Sequence, residues 1–199
     1  MNNSISVSIV IYELDLSMLR KTVGSLSIAL ETANKRGLLA QGQATEITIV
    51  DNGSNRTSIE NVVFSIQDPD KTRIKVLSND KNVGYGRAHN QAILSSHAEF
   101  HLILNPDLEL HAESLAEGLA YFSGNPSTAL LGPFGVDENN NPANLAKRYP
   151  TLLDLLLRGF APLFVRRGFR QRLAHYEYAD LDHSRATQVT MLSGCMMLG

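Results

Sequence analysis

The stretch "EFHLILNPDLEL", residues 99–110, decides how the chain is read. Its apolar run, residues 100–104, has strand length and stops abruptly at Asn105-Pro106-Asp107. Proline fixes its own φ and biases the residue before it toward extended backbone, so the chain stays stiff just past the strand. A carboxylate carried there sits on a rigid lip. Either the tripeptide is a turn leading into a helix, or Asp107 serves a divalent cation that takes its other ligands from water and phosphate oxygens.

The same pattern recurs upstream. "VSIVIY" (7–12), "EITIVD" (46–51) and "RIKVLS" (73–78) are rich in β-branched residues and read as strands buried on both faces. Between them, Leu16, Leu19, Val23, Leu26 and Leu30 mark one face of a helix that Asp15 or Ser17 can cap. Ile59, Val62, Val63 and Ile66 give a shorter helical stripe, broken by "DPDK". "RAHNQAILSSH" (87–97) and residues 111–122, with Leu115, Leu119 and Phe122 inward, are further helices. "TALLG" (128–132) is read as a fifth strand and "DENNNP" (137–142) as a turn.

Strands alternating with helices predict an α/β domain whose central sheet is mostly parallel and flanked by helices. Ligands of such sheets bind outside the carboxyl ends of the strands. Asp51, the loop around Gly84, and Asp107 each fall at such an end, so three distant stretches converge on one crevice. Singly, each has a plain alternative. Asp51 in "VDNGS" is good turn chemistry, or an ionised acceptor for the imide N–H of uracil or thymine. "NVGYGRAHN" (82–90) departs from a dinucleotide fingerprint, because His89 holds the third glycine position and the loop follows the third strand. Gly84 and Gly86 either permit a tight loop or let backbone approach an anion. Arg87 and Asn90 are either solvated helix residues or contacts to phosphate, ribose or base.

Composition sets the bounds. The 199 residues, 43% hydrophobic and 19% charged, suffice for one domain with a sizeable core. Residues 1–140 carry 10 Lys and Arg against 16 Asp and Glu, whereas residues 141–199 carry 8 against 4. A single cysteine, Cys195, excludes an intramolecular disulfide and suits a reducing compartment. No signal-peptide pattern and no apolar run long enough to span a bilayer is read, so a cytoplasmic location is expected. Residues 158–172 hold five arginines and no acid, interleaved with Phe160, Leu163, Phe164, Val165 and Phe169. Such a stretch is either an internal helix pair with a solvated basic face or a peripheral contact with an anionic membrane. The acidic remainder of the chain gives nucleic-acid binding no support.

"VSIVIY", "ITIVDNGSN", "NVGYGRAHNQA", "LILNPDLEL" and "MLSGCMML", in that order, resemble the inverting glycosyltransferases of family 2. With "KRYPTLLDLLLRGF", the last two resemble the bacterial rhamnosyltransferase branch. The resemblance covers essentially the whole chain and implies a GT-A type, Rossmann-like single domain. Residues 1–125 would form the nucleotide-sugar-binding half, and 126–199 the start of an acceptor-binding half. It implies donor contacts at Tyr12, Asp51, Gly84, Gly86, Arg87, Asn90 and Asn105, with Mg2+ or Mn2+ at Asp107. Asn-Pro-Asp stands in for the family's Asp-x-Asp, leaving Asn105 in the place of the first acid. Ser193 and Gly194 would lie on the acceptor side. The implied partners are a nucleotide-diphosphate sugar, dTDP-rhamnose or a UDP-sugar, and a glycan or glycolipid acceptor of cell-surface polysaccharide synthesis. The family's general base belongs to an acidic motif beyond the "SGxxML" strand and is expected beyond Gly199, as in a chain truncated at its C-terminus. Two other classes share parts of this pattern. A sugar nucleotidyltransferase would want a glycine-rich basic loop after the first strand, where this chain has "ELDLSM". A non-catalytic nucleotide-sugar-binding module would share every donor contact and lack the base.

Overall fold

The computed structural model describes residues 3–13, 15–53, 59, 63 and 72–199. In chain order its elements begin β1 (Ile5–Ile11), α1 (Leu16–Lys35), β2 (Thr45–Asp51), β3 (Thr72–Ser78), α2 (Tyr85–Ser95), β4 (Phe100–Leu104) and α3 (Ser114–Gly124). They continue β5 (Ala146–Lys147), α4 (Leu152–Gly159), α5 (Leu163–Gly168), α6 (Arg170–Tyr176), β6 (Met191–Leu192) and β7 (Met196–Leu198). Two compact units result, residues 1–131 with 194–199, and residues 132–193.

The first unit is organised by β1, buried along its whole length. It pairs in parallel with β2 on one side and β4 on the other, β3 extends β2 in parallel, and β7 closes the β4 edge antiparallel. The order is β3-β2-β1-β4-β7. The expected mostly parallel sheet, flanked by helices, is what forms.

Strand alternation sorts the side chains between two faces. Val7, Ile9 and Ile11 of β1 join Ile47 and Ile49 of β2 and Leu102 and Leu104 of β4 in the main core. Leu19, Val23, Leu26 and Leu30 of α1 and Leu115 and Leu119 of α3 complete it, with Phe122 packed against its rim. Asp15 caps α1, accepting a hydrogen bond from the Ser17 N–H at 2.9 Å. On the other face Val10 and Val50 meet Ala88 and Ala92 of α2. Of the predicted stripe after β2, Ile59 and Val63 are buried in the main core, while Val62, Ile66 and "DPDK" lie outside the described residues.

Two expectations are corrected. "TALLG" forms no strand: Leu131 alone bridges to Leu198. That bridge lies on the outer edge of β7, and Pro133, which has no N–H, can donate no further ladder bond there. The basic stretch, expected as either a helix pair or a membrane contact, runs through three short helices rather than two, interrupted at residues 160–162 and at Phe169. Pro162 at the start of α5 has no N–H to continue α4.

The α2 face of the sheet carries a buried polar seam. His101 Nδ1 and Nε2 each lie 2.8 Å from a serine hydroxyl, Ser6 and Ser8 respectively. Ser8 also lies 2.7 Å from Nδ1 of His89, which is 2% exposed. Burial lowers both imidazoles to about 4, the neighbouring His101 adding to the effect on His89. Folding therefore favours the neutral rings, and the unfolded chain binds more protons between pH 6.5 and about 4. Stability from these groups is complete above pH 6.5 and falls on acidification toward about 4. Urea denaturation across that window should show a loss on the order of 2 kcal/mol per histidine. The His89→Asn/His101→Asn double variant should show a flatter profile; an unchanged slope would assign the acid sensitivity elsewhere.

Candidate functional site

In the order β3-β2-β1-β4 the connections reverse direction between β1 and β4, and a crevice at the carboxyl ends of the strands follows from that reversal. A cavity of about 290 Å³ lies there, lined by Val10, Tyr12, Asn52, Asn82, Tyr85, Asn105, Pro106 and Asp107. Parallel register produces the convergence: Ile11 is opposite Asp51, and Asp51 opposite Ser78, so the loops leave the sheet at one level.

The Asn-Pro-Asp lip is tethered on three sides. Asn105 N–H donates to the Cys195 carbonyl at 2.7 Å, joining the end of β4 to the turn before β7. Thr22, buried in α1, donates its hydroxyl to the Pro106 carbonyl at 2.8 Å. The Tyr85 hydroxyl donates to the Gly194 carbonyl and sits 2.9 Å from Asn105 Oδ1. Burial raises the Tyr85 phenol to about 12, with negative charge at Cys195 and Asp107 adding to it, so Tyr85 remains a neutral donor. Asp107 stays exposed at the lip, and its carboxylate pairs with no cation among the described residues.

The opposite wall is an amide network. Asn52 Oδ1 accepts the Val83 N–H at 3.0 Å, and its Nδ2 donates to Asn82 Oδ1 at 2.9 Å. Asn82 Oδ1 also accepts the Gly84 N–H at 2.9 Å. Gly84 stands just before α2, as its N-cap, at φ +91°, and Gly53 has φ +106° with Asn82 N only 3.1 Å from where a Cβ would stand. Both turns need glycine.

Of the sequence-predicted residues, Tyr12, Asn105 and Asp107 line the cavity. Asp51 is buried at the end of β2, and the next residue, Asn52, is the one that reaches the cavity wall. Gly84 shapes the adjacent turn, while Gly86, Arg87 and Asn90 are exposed on the first turns of α2 without lining the cavity. Gly194 is the Tyr85 partner, and Ser193 belongs to the second unit, where its N–H donates to the Leu145 carbonyl. Sequence reading missed Asn52, Asn82 and Tyr85; "DNG" and "KNVGYG" signalled turns without saying which amides would hold them. A cavity of about 320 Å³ at the opposite ends of the strands, bordered by Ser4, Glu46, Arg73 and Ser96, contains none of the predicted residues.

Among the described residues no group of three His, Cys, Asp or Glu side chains could enclose a metal ion. The donor set at the lip, one exposed carboxylate beside an amide, fits an ion that arrives with a diphosphate and keeps water ligands.

The glycosyl transferase family 2 sequence profile matches residues 17–199, and the chain belongs to that family. No curated protein matches it in sequence. Among solved structures, Staphylococcus aureus TarS 1–349 is similar at 20% identity and TM-score 0.54, over 75% of this chain and 42% of that one. TarS 1–349 in complex with UDP aligns over 73% of this chain and 40% of that one, at 20% identity and TM-score 0.54. The mannosyltransferase PcManGT of Pyrobaculum calidifontis, in complex with GDP-Man and Mn2+, is 14% identical, with TM-score 0.54 over 70% of this chain and 37% of that one. The fold is thus of the GT-A type, and the chain spans about two-fifths of the length of these structures.

The two glycines of the α2 loop should respond oppositely to alanine. Gly84→Ala should destabilise the first unit by about 1–2 kcal/mol, because the side chain is forced to positive φ. Gly86 lies inside α2 with nothing within 4 Å of a new Cβ, so Gly86→Ala should stabilise by about 0.5–1 kcal/mol. Denaturation midpoints of the two variants check both signs.

Proposed function

We propose that the protein is a glycosyltransferase that moves a sugar, L-rhamnose in the most specific form of the proposal, from a nucleotide-diphosphate donor to a cell-surface polysaccharide or lipid-linked glycan. The observation that supports it is the cavity at the β1/β4 reversal, where a stiffened Asp107 faces an amide-lined wall in a chain of family 2. UDP and GDP-Man in the similar structures support a nucleotide sugar as the donor class, and dTDP-rhamnose or a UDP-sugar fits a carboxylate reading an imide edge.

In this proposal residues 1–125 hold the donor and 126–199 begin the acceptor-binding half. Asp51 accepts the base imide, with Tyr12, Gly84, Gly86, Arg87 and Asn90 around the nucleotide and sugar. Asn105 orients a ribose or phosphate oxygen. Asp107 would hold Mg2+ or Mn2+, and the ion's charge would there offset that of the diphosphate. Tyr85 keeps Asn105 aimed while staying protonated. Ser193 and Gly194 border the acceptor, whose hydroxyl displaces the diphosphate with inversion. Its proton passes to a carboxylate acting as general base. No helix among the described residues is long and apolar enough to cross a membrane, and the protein is proposed to act in the cytoplasm, with peripheral contact to the inner membrane face.

Two binding experiments test the donor half. Isothermal titration with UDP or dTDP should show affinity that rises with Mg2+ or Mn2+, and Asp107→Ala should remove the metal dependence. Retained dependence would displace the ion from Asp107. Uridine and thymidine diphosphates should bind more tightly than adenosine or guanosine diphosphates, with Asp51→Asn weakening the preferred nucleotide by about 1–3 kcal/mol. Equal affinity for all four bases would remove Asp51 from base recognition.

A further inference from the structure

Helix α4 is built inside out. Asp154 and Leu157 are buried, and the capping box of Thr151 with Asp154 starts the helix. Leu152, Leu155 and Leu156, at spacings of three and four on one helical stripe, are instead 75%, 52% and 48% exposed. The apolar character continues past the helix end, with Phe160 84% and Phe164 75% exposed. Soluble surfaces scatter such residues singly; a contiguous run of them marks an interaction site.

The charge beside this stripe is selective. Arg158 reaches the Tyr176 hydroxyl, Arg166 donates to the carbonyls of Leu157, Arg158 and Ala161, and Arg172 pairs with Asp154 at 2.7 Å. These three guanidinium groups hold α4, α5 and α6 together. Arg167 and Arg170 are exposed and have no partner among the described residues, and no acid occurs from residue 155 to 176. Arg167 follows Phe164 by one helical turn, so one edge of α5 carries a free cation beside an exposed aromatic ring.

We infer that the exposed leucine stripe of α4, with Phe160, Phe164, Arg167 and Arg170, is a docking face for an anionic lipid bilayer. The apolar side chains would enter the boundary between headgroups and acyl chains, and the two free guanidinium groups would meet lipid phosphates. The face is wider than residues 158–172 and uses fewer of the arginines than composition suggests. Charge complementarity selects the lipid surface over a second copy of this face, because two copies would bring like charges together as they covered the apolar stripe. The inference rests on this surface alone and needs no nucleotide, so it stands or falls apart from the donor proposal.

Co-sedimentation with phosphatidylcholine vesicles, with and without phosphatidylglycerol, tests it. The protein should pellet with the anionic vesicles and be released as salt rises. Arg167→Gln/Arg170→Gln should weaken that partition about thirtyfold, and Phe160→Ser/Phe164→Ser should abolish it at every salt concentration, with thermal midpoints unchanged because all four side chains are exposed. Equal partition onto both vesicle types, or wild-type binding by either double variant, would overturn the inference. So would a salt-insensitive dimer that loses its apolar contact in the Phe variant and never binds vesicles. Nucleotide affinity measured on the same samples should not change.

Discussion

Double pairing of β1 is the constraint on which the first unit depends. The strand is hydrogen-bonded in parallel on both edges, and each neighbour's register is fixed by which residues face α1 and α3. A slip of one residue would turn Val7, Ile9 and Ile11 toward α2 and bring Ser6 and Ser8 into the apolar core. It would also shift the loops after β1, β2 and β4 relative to one another by about 3.3 Å, more than a hydrogen bond tolerates. Core packing therefore sets the alignment of Tyr12, Asn52 and Asn105, residues that make little contribution to that packing themselves.

The seam of Ser6, Ser8, His89 and His101 is the counterpart on the other face. Hydroxyl and imidazole groups in a buried layer are stabilising only when partnered, which ties β1, β4 and α2 to one arrangement. His89 Nε2 is the one buried side-chain polar atom among the described residues that has no partner. The edge of that ring meets Tyr85 at 4.4 Å between centroids, and Tyr85 in turn spans Asn105 and Gly194. Core polarity and the cavity lip are thus linked through two aromatic side chains.

The strands were legible because β-branched runs with turn signals at both ends have few alternatives, and β4 was read to the residue. The convergence of Asp51, Gly84 and Asp107 on strand ends followed from parallel order alone. What remained illegible was anything decided between elements. Nothing in "DNG" distinguishes a buried Asp51 from a cavity-lining Asn52, since that choice depends on which side chain the β3–α2 loop covers. Thr22 looks like a weak helix residue until its hydroxyl meets the Pro106 carbonyl. Pro106 suggests itself as the source of stiffness. Its fixed φ is local, whereas the lip is held by bonds to α1, to α2 through Tyr85, and to the turn before β7.

The second unit shows why counting charges along a sequence misleads. Five arginines in fifteen residues suggest a strongly cationic surface, yet a guanidinium has five N–H donors and serves equally well as an internal brace. Short helices leave many carbonyls unpaired at their ends, and Arg166 answers three of them at the α4–α5 junction. Arg172 neutralises an Asp154 that the capping box has already drawn into the interior. On α4 the capped Asp154 turns inward, while Leu152, Leu155 and Leu156 are left facing out. Both alternatives that composition leaves open, a helix pair with a solvated basic face and a membrane contact, need exposed arginines, and Arg158, Arg167, Arg170 and Arg172 are exposed even where their guanidinium groups also brace helix ends.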